Sequence, residues 1–149
     1  MRILFLYMFP LWGNGSGSFL RELSRELIKK GHTIAIVAPD KRKLPGVVHF
    51  TVKPPQNGVF VAHPELPNAK KFGDMNGKEL GEIYASYLKT TIEAVADFNP
   101  EIIQFIAKNV ERLFIKTICR YAIAALCFMS IIHKHNIFVI AFFVYSCMN

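Results

Sequence analysis

The stretch that decides the fold is ILFLYMFPLWGNGSGSFLRELSRELIKKGHTIAIVAP, residues 3–39. Ile3 to Tyr7 is a short apolar run, the pattern of a strand covered on both faces. Leu20, Leu23 and Leu27 then recur at the spacing of one helix face. Glu22 and Glu26 precede Lys29 and Lys30, the order that suits the helix dipole, and Gly31 is placed to end the helix. Thr33 to Pro39 reads as a second buried strand. Strand, glycine loop, helix and strand form a βαβ unit, whose right-handed crossover makes the two strands parallel.

Between the first strand and the helix lies LWGNGSGS, residues 11–18. Ser18 is expected to cap the helix. A helix N-terminus has unpaired N–H groups and the positive end of the dipole, so an anion is stabilised there. Gly13, Gly15 and Gly17 would let the backbone approach closely, with Asn14 between them and Ser16 and Ser18 as further donors. The same glycines could equally serve a connection that only needs positive φ. The P-loop pattern fails, because no Gly-Lys-Ser/Thr follows. The dinucleotide pattern G-x-G-x-x-G starts at Gly13 and Gly15, but Ser18 holds its third glycine position and the turn after the strand is too long. Asp40, at the end of the second strand, stands where a ribose-binding acid would be, which keeps a nucleotide-binding module as the rival reading.

Beyond residue 40 the pattern loosens. VVHFTV (47–52) and VFVAH (59–63) alternate as strands, with a turn at PPQNG between them. GKELGEIYASYLKTTIEAVADFNP (77–100) reads as the clearest helix, with Leu80, Tyr84, Leu88, Ile92 and Val95 along one face, and Pro100 bars it from continuing. EIIQFIA (101–107) reads as another buried strand. Leu113 to Ile132 is almost continuously apolar, followed by a polar turn and a last apolar run. This is either a core helix and final strand or a membrane tail, but Arg120 near the middle of a span would cost about 2.5–3.5 kcal/mol.

The 149 residues suffice for one domain with a real core, and 52% hydrophobic content excludes a disordered chain. A net charge of +7 favours anionic partners. Nucleic acid is not expected, because the basic residues are scattered and no aromatic-basic platform accompanies them. The three cysteines, Cys119, Cys127 and Cys147, fit no zinc pattern and read as reduced thiols of a cytoplasmic protein. His133 and His135 have no carboxylate or cysteine beside them, so no metal is expected. His32 reads as a structural residue at a helix-to-strand turn. His49 and His63 carry no assigned role.

Residues 1–40 resemble the opening of a GT-B fold glycosyltransferase of the family 4 type. The likeness rests on the glycine-rich loop Gly13 to Gly17, on Leu23 with Leu27, and on Gly31-His32-Thr33-Ile34 leading into the second strand. NPEII (99–103) resembles the Pro-(Asp/Glu)-(Val/Ile)-Ile that opens a later strand of that family. The resemblance implies an α/β, Rossmann-like three-layer domain with a mainly parallel sheet, one half of a GT-B fold. It implies a parent reaction moving a sugar from a nucleotide diphosphate sugar to a sugar or lipid-linked acceptor, without a cofactor. The glycine loop would lie near the donor diphosphate.

Two departures temper this. Gln104, Phe105 and Ile106 follow PEII where the family has a histidine-rich stretch. Phe138 follows Ile137, and FFVYS (142–146) stands where polar residues belong. The expectation is therefore a single domain, 1–149, with a degenerate apolar part from 113 to 149. Nothing in the chain corresponds to the donor-side half, as expected of a truncated or decaying copy or of one half of a two-chain enzyme. The isolated chain is expected to transfer little sugar and to reside in the cytoplasm, with a peripheral membrane contact through its tail left open. No catalytic residue is assigned. Gly17→Val is expected to remove phosphate binding and spare the fold.

Overall fold

The alternation of side chains along Arg2–Tyr7 (β1) sends Leu4 and Leu6 to one face of a sheet and Ile3, Phe5 and Tyr7 to the other, all of them buried. The computed structural model describes residues 1–59 and 62–106 and the backbone of 138–140. In it β1 is followed by α1 (Gly15–Lys29), β2 (Thr33–Ala38), β3 (Val47–Thr51), β4 (Gly58–Val59), β5 (Lys70–Lys71), a 3-10 turn (Phe72–Asp74), α2 (Gly77–Phe98), β6 (Ile102–Ile106) and β7 (Phe138–Ile140).

The main sheet has the order β3-β2-β1-β6-β7, and each of its pairings is parallel. β1 lies at its centre, with Phe5 opposite Ile36 on β2 and Gln104 on β6. α1 packs Leu20, Leu23, Leu27 and Ile28 onto the Ile3, Phe5, Ile34 and Ile36 face. α2 packs Tyr87, Ala94, Val95 and Phe98 onto the Leu4, Leu6, Ala35 and Val37 face. Helix, sheet, helix: these residues make a three-layer Rossmann-like α/β fold, as the βαβ reading and the resemblance both imply. A sheet covered on both faces explains why its strands are continuous apolar runs.

The helix ends follow local chemistry. Gly31, at φ 83°, closes α1: its N–H donates to the carbonyl of Ile28, and that of His32 donates to Leu27. Asn76 and Glu79 form a reciprocal capping box at the start of α2, and Asn99 ends it in the left-handed conformation before Pro100.

Three expectations need correction. α1 starts at Gly15 with Asn14 as its cap, not after Ser18, because the Asn14 carboxamide reaches the Gly17 N–H. Among the described residues β3 does not form a hairpin with the segment after it. It joins the main sheet beside β2, while β4 pairs in parallel with β5. On α2 the deeply buried stripe is Ile83, Thr91, Ala94 and Val95, whereas Ile92 is 41% exposed. The small Ala94 and Thr91 let the helix lie close to the sheet, and the larger Leu80, Tyr84 and Leu88 sit half-buried on its flank. The final strand expected in the last apolar run is present as β7. The cysteines, His133, His135 and the apolar run 113–132 lie outside the described residues. Among those described, no helix is long and apolar enough to cross a membrane.

Candidate functional site

In a parallel sheet with this strand order, ligands bind beyond the carboxyl ends of the strands. Residues 8–14 cross that edge between β1 and α1. Their path is fixed by Leu11, which is fully buried: its N–H donates to Asp40 Oδ2 at 2.8 Å and its carbonyl accepts from the Arg21 guanidinium. Asp40 follows β2, so this bond ties the loop to the neighbouring strand.

The three glycines do three different things. Gly13 has φ 82°, and a Cβ there would lie 2.8 Å from Pro64, so the segment 63–65 is packed directly on it. A Cβ on Gly17 would lie 2.7 Å from the carbonyl carbon of Leu11, so the helix can approach the loop only with glycine there. Gly15 alone opens outward, with nothing within 4 Å of the position its Cβ would take. The expectation for Gly17→Val is thereby overturned: the substitution would push α1 off the loop, disturbing the fold itself.

Asn14 organises the rest. Its Oδ1 accepts from the Gly17 N–H at 2.6 Å and from the Tyr7 hydroxyl at 2.7 Å. The Ser16 hydroxyl donates to the same Oδ1 at 3.0 Å and lies 2.8 Å from Tyr7 Oη. The Ser18 hydroxyl donates to the Asn14 carbonyl and accepts from Arg21. Both serines expected to reach outward are thus engaged inside the loop. The N–H groups of Gly15 and Ser16 have no acceptor among the described residues, and no acidic residue occupies the first turn of α1. These two amides are the donors that the start of α1 leaves without a partner among the described residues.

Asn14 Nδ2 donates to the Pro10 carbonyl at 2.7 Å and meets His63 Nε2 at 2.9 Å. The carboxamide is oriented by its other bonds, so His63 Nε2 is the acceptor. The Glu65 N–H approaches the other ring nitrogen at 3.2 Å. Burial lowers the pKa of the imidazole against the opposing charge of Glu65, so the ring is held neutral, with one nitrogen accepting and the other protonated. Sequence spacing carried no signal for His63, because 49 residues separate it from Asn14.

Beside the loop lies a cavity of about 470 Å³ between the end of β2, Asn57 and residues 65–69. Asp40, Arg42, Glu65, Asn57 and Asn68 line it, with prolines between them. Arg42 pairs with Glu65 at 2.8 Å and lies 4.6 Å from the ring centroid of Trp12, on which Arg21 also stacks at 5.3 Å. Asp40 is only 6% exposed, and burial pushes its carboxyl up to about 6 against the pull of the Leu11 N–H. Burial also raises the Tyr7 hydroxyl. Among the described residues, no three His, Cys, Asp or Glu side chains gather as a metal centre.

The class defined so far is a Rossmann-like α/β domain with an open helix N-terminus and an adjoining cavity at its carboxyl edge. No family model matches the chain, and no curated protein matches its sequence. Among solved structures it is similar to a UDP-galactose 4-epimerase, at 12% identity and a TM-score of 0.37, over 73% of this chain. The chain spans 39% of that epimerase. The strand order, not this likeness, defines the fold.

Proposed function

We propose that the chain binds a diphosphate ester at the start of α1 and is the acceptor-side half of a GT-B glycosyltransferase. The observation that carries this reading is the pair of unpaired N–H groups on Gly15 and Ser16, at the carboxyl edge of the central strand. An anion seated there meets two donors and the positive end of the α1 dipole, with Arg21 adding charge nearby. In a transferase the same fixed dipoles would stabilise the diphosphate as it departs from the sugar. The family resemblance of residues 1–40 supplies the sugar-transfer part of the reading. The second Rossmann-like half and the nucleotide-sugar donor it would hold are part of the proposal, as is a sugar or lipid-linked acceptor.

A nucleotide-binding module using Asp40 on a ribose is the rival. Asp40 lines the cavity beside the loop, with Oδ2 taken by the Leu11 N–H.

The test uses Gly15, because its open surroundings allow a side chain without disturbing the fold. Pyrophosphate, UDP and UDP-glucose are titrated calorimetrically into the wild-type chain and into Gly15→Val. The expected result is binding that the valine weakens about tenfold or more, a loss of about 1.4 kcal/mol, with unchanged circular dichroism. Equal affinity in the two proteins would sink the phosphate role. Sugar transfer is expected only when a donor-side half is supplied, and transfer unaffected by Gly15→Val would count equally against the loop.

A further inference from the structure

We propose that the cavity between the end of β2, Asn57 and residues 65–69 is a subsite for the hydroxyls of a sugar, with Asp40 as acceptor and the Asn57 and Asn68 carboxamides as further partners. The inference does not rest on the phosphate reading of the glycine loop.

Three polar side chains carry it, each with capacity left over. Asp40 Oδ2 accepts from the Leu11 N–H, while Oδ1 has no partner among the described residues although the side chain is more than nine-tenths buried. A hydroxyl donor entering the cavity can bond Oδ1 in place of water. The carboxamides of Asn57 and Asn68 likewise make no hydrogen bond among the described residues, since Gln56 bonds only their backbone carbonyls. Each offers one acceptor and two donors, which suits hydroxyl groups that both give and take.

Charge decides against an ion. Asp40 and Glu65 oppose an anion in this cavity, and Lys41 and Arg42 oppose a cation. A neutral, hydroxyl-rich molecule meets neither objection. Pro10, Pro39 and Pro67 present rigid apolar walls to its C–H faces, and about 470 Å³ falls within the usual range for small-molecule sites.

Binding should depend on pH. Only the ionised carboxyl accepts at both oxygens, so affinity falls as pH drops through about 6. The charged groups acting on Asp40 are Arg42, Glu65 and Arg21, and Tyr7 and Tyr87 lie close enough to feel its charge. His63 and His49 titrate elsewhere in the chain, so the profile is read as the difference between wild type and Asp40→Asn.

The probes are the methyl α-D-pyranosides of glucose, galactose and mannose, titrated into the full chain at pH 8. Calorimetry is followed alongside the fluorescence of Trp12, the single tryptophan, which Arg42 covers. At least one probe is expected to bind with a dissociation constant of about 1 mM or tighter, about tenfold weaker in Asp40→Asn. The wild-type affinity should fall toward pH 5 while that of Asp40→Asn stays flat. Asparagine retains an acceptor for the Leu11 N–H. Should that variant still misfold, Asn68→Ala alters an exposed residue and is expected to weaken binding several-fold. No binding of any probe, or equal binding by wild type and both variants, would overturn the proposal. So would NAD binding that Asp40→Asn abolishes, since the hydroxyls would then be those of a nucleotide ribose. Pyrophosphate titration of Gly15→Val is read separately, so loss of the loop site leaves this result intact.

Discussion

Leu11 is held on three sides at once: by the Asp40 carboxylate, by the Arg21 guanidinium, and by the bare α-carbon of Gly17. Two substitutions separate the glycines that look alike in sequence. Gly17→Ala is expected to cost about 1–3 kcal/mol or more, because its methyl meets backbone that cannot give way. Gly15→Ala is expected to be neutral or slightly stabilising, and paired urea melts would measure both. Asp40 adds a pH term. Its folded pKa is raised from the ordinary 3.8 to about 6, so the stability it contributes is full below 3.8 and lost as pH rises through 6. Asp40→Asn should therefore exceed wild type by about 1–3 kcal/mol at pH 8, with the gap closing by pH 4. A constant gap across that range would refute the assignment. Sequence could place Asp40 at a strand end but not find its partner, 29 residues away. Nor could it tell a glycine that opens outward from one that packs inward.

At the scale of elements, the start of α1 is one cooperative unit. Asn14 caps the helix, fixes Tyr7 and Ser16, and holds the 63–65 segment through His63. Asn14→Ala is expected to cost about 2 kcal/mol, the upper range for a lost cap, and to speed amide exchange in the first turn of α1. Exchange limited to that turn, with residues 63–66 unaffected, would argue against the coupling. The strands of the main sheet and the two described helices were legible because buried parallel strands and amphipathic helices write their periods plainly, whereas β5 lies where the sequence reads as loop. The pairing of β3 was not legible. Alternation states that a strand has an inside and an outside, but it does not name the neighbour. The tilt of α2 was hidden for a similar reason: its apolar stripe is wide, and Tyr87, whose hydroxyl donates to the Met8 carbonyl at 2.7 Å, selects which part turns inward.

For the whole molecule, the outer strand β3 matters most. Among the described residues it pairs on one side only, with β2, and Val48 on it is 44% exposed. An unprotected edge with an apolar residue is a template for pairing between copies. The chain is therefore expected to associate as concentration rises, as seen by light scattering, and Val48→Lys should reduce the effect. A clean monomer at high concentration would contradict this. The site as a whole was half legible. The glycine loop announced itself, whereas the cavity is assembled from the end of β2, Asn57 and the 65–69 segment and exists only once the chain has folded.

The central position of β1 has a consequence for biosynthesis. β1 and β2 leave the ribosome early and can pair at once, but the other side of β1 waits for Ile102–Ile106. At about 5–20 residues per second, that side stays open for on the order of several seconds. During that time the central strand offers a row of unmatched peptide groups to whatever is near. A nascent chain of this layout should depend on ribosome-associated chaperones, and most of all while the residues between β3 and β6 are being translated.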